Sequence, residues 1–313
     1  MDYTTLGRTG LRVSVLGLGG GGHSRLGQQT GSTEKQSITL VQRALDLGIN
    51  FVDTAEAYGT EAIIGQALRG HRREGVVLST KKTLHHQGNL ATPDEVRRGL
   101  EDSLRRLGVD HVEIYHLHAV SADHYNYARE QLVPVLQQMQ QQGKLRFLGI
   151  TEVFASDTAH RLMARAVLDD CWDVVMVGFN ILNQSARARV FAHTQHQGIG
   201  VLNMFAVRQA FSQPTKLRQI IGELVQQGLV ERDAVDPENP LDFLVRQDGA
   251  QSLVDAAYRF CRAESGVHVV LSGTGNIQHL EENVAYILRP PLPAPDRQRL
   301  METFARVDTV SGQ

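Results

Sequence analysis

The sequence is poor in cysteine and contains no long apolar run. Cys171 and Cys261 are the only cysteines in 313 residues, too few for a disulfide framework and usual for a reduced cytosolic protein. No apolar stretch approaches the roughly 18 residues of a membrane-spanning helix, and the N-terminus lacks the apolar core of a signal peptide. These absences predict a cytoplasmic protein that makes no membrane contact.

Basic residues are not in excess either. The chain has 32 Lys and Arg against 34 Asp and Glu, a net charge of −2, and no basic run. This balance argues against an electrostatic nucleic-acid binder. With 42% hydrophobic and 21% charged residues, the chain is able to bury a large core and is not expected to be disordered. Nothing in the sequence indicates an oligomeric state.

Glycine, in contrast, is concentrated in one stretch, LGLGGGG at residues 16–22. Gly17, Gly19 and Gly22 have the G-x-G-x-x-G spacing of a dinucleotide-binding turn, which requires a helix directly afterwards and an acidic residue about twenty positions on. The following residues, 23–32, contain further turn formers without an apolar repeat, and no acidic residue lies near positions 37–42. The sequence therefore predicts no Rossmann domain here and leaves dinucleotide binding by another route open.

Short apolar segments rich in β-branched residues alternate with amphipathic helical segments along the whole chain. Strands that are nearly all apolar are typical of parallel strands covered by helices on both faces. Eight β-α units in a chain of this length predict an α/β protein with one domain over residues 1–313, a closed (β/α)₈ TIM barrel; an open doubly wound sheet is the alternative. The predicted strands are 13–18, 50–54, 76–80, 111–118, 145–151, 173–179, 199–205 and 267–273.

Helix starts are marked by two capping boxes. Thr33 with Gln36 and Thr92 with Glu95 have the required spacing. Apolar periodicity predicts a further helix over 155–167. The interval before the last predicted strand is about twice the others, so residues 207–250 are predicted to be a loop insertion over the active face.

Chemistry in such barrels sits where the strands end, and four polar residues near strand ends form a coherent set. Hydride transfer to a carbonyl requires a proton for the oxygen, and Tyr58 is the candidate donor. A phenol is a poor acid at neutral pH unless a cation stabilises its phenolate; Lys81 is that candidate cation, and Asp53 is its ion-pair partner. His118 is a candidate for orienting the carbonyl or sharing the proton.

The sequence resembles the aldo-keto reductase family along nearly its whole length. Members are (β/α)₈ barrels that bind a nicotinamide dinucleotide without a Rossmann domain, with an N-terminal hairpin that closes the barrel bottom. The resemblance implies that Asp53, Tyr58, Lys81 and His118 are the catalytic tetrad of an NAD- or NADP-dependent oxidoreductase. It also implies a small carbonyl or alcohol substrate and no metal. The matching stretches are YTTLGRTGLRVSVLGLGGG, GINFVDTAEAYG, LSTK, LRRLGVDHVEIYHLH, GKLRFLGIT and VVLSGTGNIQHLEENV.

The cofactor contacts implied by the resemblance include several departures from the family pattern. Thr151 and Glu152 replace the usual Ser-Asn pair, Met176 replaces a glutamine, and Met204 replaces the stacking aromatic. His279 takes the place of the usual 2′-phosphate arginine, which favours NAD relative to NADP. The residues predicted to contact the cofactor are Gly20, Asp53, Thr151, Glu152, Met176, Met204, Phe205, Gly273, Thr274, Gly275, Asn276, His279, Glu282 and Asn283.

Two other functions are compatible with parts of the sequence. His116-x-His118 together with the pair His85–His86 suggests a metal-dependent barrel hydrolase. The altered nicotinamide contacts suggest a cofactor-sensing binding subunit with little turnover. Under the reductase interpretation, His116 is a buried supporting residue, and Lys82 and the His85–His86 pair lie on the loop surface.

Overall fold

The chain folds into a closed barrel of eight parallel strands. The computed structural model describes residues 1–71, 73–86 and 88–313. The strands are Tyr3–Thr5 (β1), Arg12–Ser14 (β2), Leu16–Gly19 (β3), Phe51–Asp53 (β4), Val77–Thr83 (β5), His85–His86 (β6), Asn89–Leu90 (β7), Val112–Val120 (β8), Leu145–Glu152 (β9), Val174–Gly178 (β10), Gly200–Met204 (β11) and Val269–Ser272 (β12).

The barrel closes through pairing of its last strand with its first. The order is β3, β4, β5, β8, β9, β10, β11, β12, and β12 returns to β3 with Val270 opposite Leu16. The TIM-barrel prediction is therefore confirmed, and the open-sheet alternative is wrong. Strands β5 and β8 extend beyond the predicted ends, so that Lys81 and His118 lie within strands rather than at their last residues.

The N-terminal hairpin closes one end of the barrel, as expected. Strands β1 and β2 pair antiparallel, and the hairpin residues Leu6, Leu11 and Val13 belong to the same apolar cluster as the inward-facing strand residues. Gly17 on β3 leaves space for this cluster, since a Cβ there would lie 2.8 Å from Leu271. Packing inside the barrel thus accounts for the first glycine of the G-x-G-x-x-G spacing.

The helices cover the outside of the barrel. Both predicted capping boxes are present, with Thr33 accepting from the Gln36 N–H and Thr92 from the Glu95 N–H. In the part of the chain described, no helix is long and apolar enough to cross a membrane. The α-helices are Glu34–Asp46 (α1), Glu61–Arg69 (α2), Pro93–Leu107 (α3), Tyr125–Tyr127 (α4), Val133–Gln141 (α5), Arg161–Ala166 (α6), Ala192–Gln197 (α7), Gln209–Ser212 (α8), Pro214–Gln226 (α9), Leu253–Arg262 (α10), Ile277–Ile287 (α11) and Ala294–Thr303 (α12).

The helix predicted over 155–167 is wrong in its first half. Residues 154–159 form turns, and α6 begins only at Arg161. His160 has a left-handed backbone (φ 57°), which interrupts a helix. The Asp157 carboxylate accepts hydrogen bonds from the Arg161 and Leu162 N–H groups, at 3.0 and 2.9 Å. These bonds supply the cap that starts α6 late.

The segment predicted as an active-face insertion, 207–250, contains α8 and α9. Its first part reaches the large cavity of the barrel, where residues 207–209 and 211–213 form part of the wall. Further along, Leu217, Ile220 and Leu224 of α9 are buried in the apolar layer between helices and barrel.

Candidate active site

A cavity of about 1380 Å³ opens at the carboxyl ends of the barrel strands. Gly19, Asp53 and Met204, each at or next to the end of a barrel strand, line it. One part of the wall is formed by Tyr58 and His118, and another by the loop and helix start at Gly273–Asn283. The cavity exceeds the roughly 300–1,000 Å³ of a usual small-ligand pocket, so it has room for a dinucleotide and a second small molecule.

The four residues of the predicted tetrad meet on one side of this cavity. The Tyr58 hydroxyl lies 3.2 Å from His118 Nε2, and the two rings meet edge to face. Lys81 Nζ lies 5.1 Å from the centre of the Tyr58 ring. It donates to Asp53 Oδ2 at 2.5 Å and to the Thr54 carbonyl at 2.7 Å. The ammonium group is therefore fixed beneath the phenol by two acceptors.

Burial controls the charges in this cluster. The Lys81 side chain is fully buried. Burial raises the pKa of Asp53, and the hydrogen bonds from Lys81 and Ser79 oppose that rise. Burial, together with repulsion from Lys81, lowers the pKa of His118 to about 3. His118 is thus a neutral imidazole at pH 7, suited to orienting a carbonyl oxygen by a hydrogen bond rather than to carrying a positive charge.

Comparison with known proteins identifies the family of this chain. The family model described as "Aldo/keto reductase family" matches residues 16–303. The chain belongs to this family. It is 27% identical to L-galactose dehydrogenase of Arabidopsis thaliana over 99% of this chain and 95% of that protein. It is 29% identical to the NADH-specific methylglyoxal reductase of Escherichia coli over 64% of this chain and 66% of that one.

A solved aldo-keto reductase from Bacillus halodurans, in its holo form, shares the fold. It is 24% identical, has a TM-score of 0.73, and the match covers 99% of this chain and 98% of that one. Membership makes the protein an oxidoreductase of a family that uses a nicotinamide cofactor.

Most of the predicted cofactor contacts of this aldo-keto reductase line the cavity, and two do not. The Thr151 hydroxyl is buried and accepts from the Ala119 N–H at 2.8 Å. Gly20 lies behind the wall, where its N–H donates to the Asp53 carbonyl at 2.6 Å. The predicted residues that do line the cavity are Asp53, Glu152, Met176, Met204, Phe205, Gly273, Thr274, Gly275, Asn276, His279, Glu282 and Asn283.

Glu152 has two hydrogen-bond partners in the protein. Its carboxylate accepts from His160 Nδ1 at 2.9 Å and from the Gly178 N–H at 2.9 Å. Burial raises the pKa of Glu152, and the charge of His160 opposes the rise. The His160 ring is fully buried and stacks on Phe154. The wall here is formed by Glu152, with the buried His160 ring as its partner, and by the apolar Met176.

At the other end of the cavity, the start of α11 presents polar groups. The Asn276 side chain caps the helix by accepting from the N–H groups of Gln278 and His279. The Asn283 amide donates to Ser272 Oγ at 3.0 Å. Only one of the two acidic residues in the segment faces the cavity: Glu282 lines it.

Its neighbour Glu281 is turned to the next helix. Its carboxylate pairs with Arg43 of α1 at 2.6 Å. The negative charge near the predicted 2′-phosphate position is therefore smaller than the sequence alone indicates.

The remaining sequence predictions near the site have mixed outcomes. Lys82, expected at the surface, is only 8% exposed and pairs with Glu56 at 2.8 Å, so that prediction is wrong. Burial lowers the pKa of His116, which is fully buried, well below its usual value. His85 is exposed, and the His86 side chain lies outside the described residues. Among the described residues, no group of three or more His, Cys, Asp and Glu is placed to hold a metal.

Two residues at the site were not identified from the sequence. Gly21 lies against the phenol, since a Cβ there would be 2.5 Å from Cε2 of Tyr58. The glycine run in the sequence indicates that the chain closely approaches another group. The G-x-G-x-x-G spacing, however, consists of Gly17, Gly19 and Gly22 and does not include Gly21. Arg208 lines the cavity with its guanidinium 3.6 Å from the centre of the Phe205 ring. No motif surrounds it in the sequence.

Proposed function

We propose that this protein is an NAD(P)-dependent oxidoreductase that interconverts aldehydes or ketones, including sugar-like ones, and alcohols, with Tyr58 as general acid and base. The observation that carries the proposal is the Tyr58 hydroxyl, 3.2 Å from His118 Nε2 on the cavity wall, with Lys81 beneath the ring. The relatives named L-galactose dehydrogenase and NADH-specific methylglyoxal reductase support this substrate class.

The chain's own residues handle the proton in this mechanism. A nicotinamide cofactor, when bound, supplies or accepts the hydride. Tyr58 Oη gives its proton to the carbonyl oxygen during reduction and takes it back during alcohol oxidation. Lys81, held by Asp53, stabilises the phenolate. Neutral His118 orients the carbonyl oxygen next to the phenol.

The residues around the cavity fit a dinucleotide. The nicotinamide would lie near Glu152, Met176 and Met204, and the adenine end near Gly273–Asn283. The N-terminus of α11 adds a favourable electrostatic environment for a phosphate. This arrangement separates the two ends of the cofactor and leaves the tetrad side of the cavity for a substrate.

A direct test is a fluorescence titration with NADH and NADPH, followed by a panel of aldehydes and alcohols with the tighter cofactor. Turnover of at least one compound is the expected result. Glu152, already engaged by His160 and Gly178, favours a second candidate, a cofactor-sensing binding subunit. Cofactor binding without turnover over the whole panel would support that candidate instead.

Cofactor preference is expected to be weak and to depend on His279. We expect NADPH to be favoured over NADH by less than about a hundredfold in dissociation constant, under 3 kcal/mol, or NADH to bind more tightly. His279→Arg should shift the ratio toward NADPH by about tenfold, because a guanidinium pairs with a phosphate through two hydrogen bonds. Gln278→Arg, one position away on the same exposed helix start, is the control. An unchanged ratio of the NADPH and NADH dissociation constants in His279→Arg would indicate that the 2′-phosphate of NADPH binds away from residue 279.

Glu152→Gln tests the charge beside the nicotinamide. An ionised carboxylate favours the positively charged oxidised ring; at an assumed ~5 Å and an effective dielectric of ~20, a bare charge contributes about 3 kcal/mol. His160 beside the carboxylate offsets part of this. We therefore expect the variant to weaken NAD⁺ binding about tenfold more than NADH binding. Equal changes in the two dissociation constants would show that Glu152 does not act on the ring.

Gly21→Ala is expected to reduce turnover about a hundredfold, because the added methyl group displaces the Tyr58 ring. A displacement of a catalytic group by about 1 Å has effects of this size. Gly19→Ala is the matched comparison, because the nearest atom to its added Cβ is 3.6 Å away. We expect it, like Gly22→Ala, to reduce cofactor affinity modestly at most. A loss of more than a hundredfold in a folded Gly19→Ala or Gly22→Ala variant would restore the pyrophosphate-turn interpretation of these glycines.

A further inference from the structure

Arg208 is a cation beside the active site that has no anionic partner within residues 1–71, 73–86 and 88–313. It follows β11, lines the cavity, and stacks its guanidinium on Phe205 at 3.6 Å. Its Nε is buried and has no hydrogen-bond partner among the described residues, and no ion pair to Arg208 occurs there. The mechanism proposed above does not use this residue.

Keeping a guanidinium in this position is costly without a counter-charge. Burial lowers the pKa of Arg208, an effect that only a negatively charged Tyr58 phenolate would oppose. Stacking on Phe205 offsets part of the cost of burying the guanidinium. It leaves the N–H edge of the guanidinium free. Such an edge matches the two oxygens of a carboxylate or phosphate. The anionic group of a bound ligand would therefore be a suitable partner.

We propose that Arg208 binds a carboxylate of the substrate, so that the preferred substrates are carbonyl compounds that carry an acidic group. This inference rests on the proposed function. A Cβ on Gly22 would lie 3.9 Å from Arg208 Nη1, and the neighbouring Gly21 packs against the Tyr58 ring, so Arg208 lies on the side of the cavity where the carbonyl is reduced. A molecule whose carbonyl oxygen meets Tyr58 and His118 and whose carboxylate meets Arg208 would satisfy all three groups. The pyrophosphate of the dinucleotide is the other source of anionic oxygens, and the test separates the two.

The test uses two pairs of aldehydes of different length that differ by one carboxylate: succinic semialdehyde with butanal, and 4-carboxybenzaldehyde with benzaldehyde. We expect the wild-type kcat/KM for the acid of at least one pair to exceed that of its neutral partner about ten- to a hundredfold, mainly through KM. Arg208→Gln should bring this ratio close to one. Arg218→Gln, on α9 with its guanidinium on the Glu238 carbonyl, should leave the ratio unchanged.

The other outcomes contradict either the role of Arg208 or the proposed function on which it rests. A ratio near one for both pairs in the wild type contradicts the role of Arg208 and leaves the proposed function intact. If Arg208→Gln weakens NADH binding tenfold or more and leaves the wild-type aldehyde ratio unchanged, the anion is the cofactor's pyrophosphate. If neither these four aldehydes nor any compound of the broader panel is turned over, the proposed function fails. Calorimetric titration of 4-carboxybenzaldehyde and benzaldehyde into Arg208→Gln and Arg218→Gln then still tests Arg208. Equal affinities of the two variants for 4-carboxybenzaldehyde would contradict its role.

Discussion

Replacing Tyr58 with Phe is expected to lower kcat for carbonyl reduction by about 10²–10⁴-fold while leaving cofactor affinity nearly unchanged. The change removes the hydroxyl that lies 3.2 Å from His118 Nε2 and keeps the ring that packs between Gly21 and Lys81. Steady-state rates with an aldehyde and a fluorescence titration with NADH measure the two quantities on one preparation.

Tyr127→Phe is the matched control for this change. It loses the same hydroxyl group, which donates to the Ala91 carbonyl at 3.1 Å away from the cavity. We expect a stability cost of about 1 kcal/mol and normal turnover. Wild-type turnover by Tyr58→Phe would exclude the phenol as the proton donor.

Lys81→Met is expected to reduce turnover to a similar extent, because the phenolate loses the cation that stabilises it. The substitution also leaves the buried Asp53 carboxylate without its partner, a loss of roughly 3–5 kcal/mol in unfolding free energy for a broken buried pair. Chemical denaturation followed by steady-state kinetics on the folded variant measures both effects.

A double variant separates catalysis from stability in this experiment. Asp53→Asn combined with Lys81→Met removes both charges, and it should recover much of the lost stability while remaining inactive. Lys82→Met is the neighbouring control, since Lys82 pairs with the partly exposed Glu56 and does not contact the phenol. Normal activity in the double variant would show that Lys81 does not act on Tyr58.

The barrel and the tetrad were predictable from the sequence because both depend on local patterns. Eight apolar segments, each followed by a helical segment, indicate parallel strands covered by helices, and the closed barrel was favoured over an open sheet. Parallel strands place their carboxyl ends at the same end of a barrel. Asp53, Lys81 and His118, which lie near three such ends, were therefore expected to meet before any distance was known. The capping boxes at Thr33 and Thr92 were equally local.

Contacts between residues distant in the sequence were not predictable in this way. Lys82 follows Lys81 on β5, so the two side chains lie on opposite faces of the strand. Lys82 is nevertheless buried, because it pairs with Glu56, a residue 26 positions away. The orientation of Glu152 depends on His160, whose left-handed backbone also delays the start of α6. A helical pattern in the sequence does not reveal this conformation. In the structure this conformation accompanies the contact between His160 Nδ1 and the Glu152 carboxylate.

The sequence by itself therefore indicates a parallel α/β fold, the four residues of the tetrad and the resemblance to the family. Tertiary packing determines which groups around the tetrad are left without partners. Gly21 is needed because the chain after β3 crosses the face of Tyr58, and Arg208 is unpaired because no carboxylate of the described residues reaches its place above Phe205. Both facts depend on how the loops that follow the barrel strands meet over the cavity, and periodicity along a single strand or helix contains no information about these contacts.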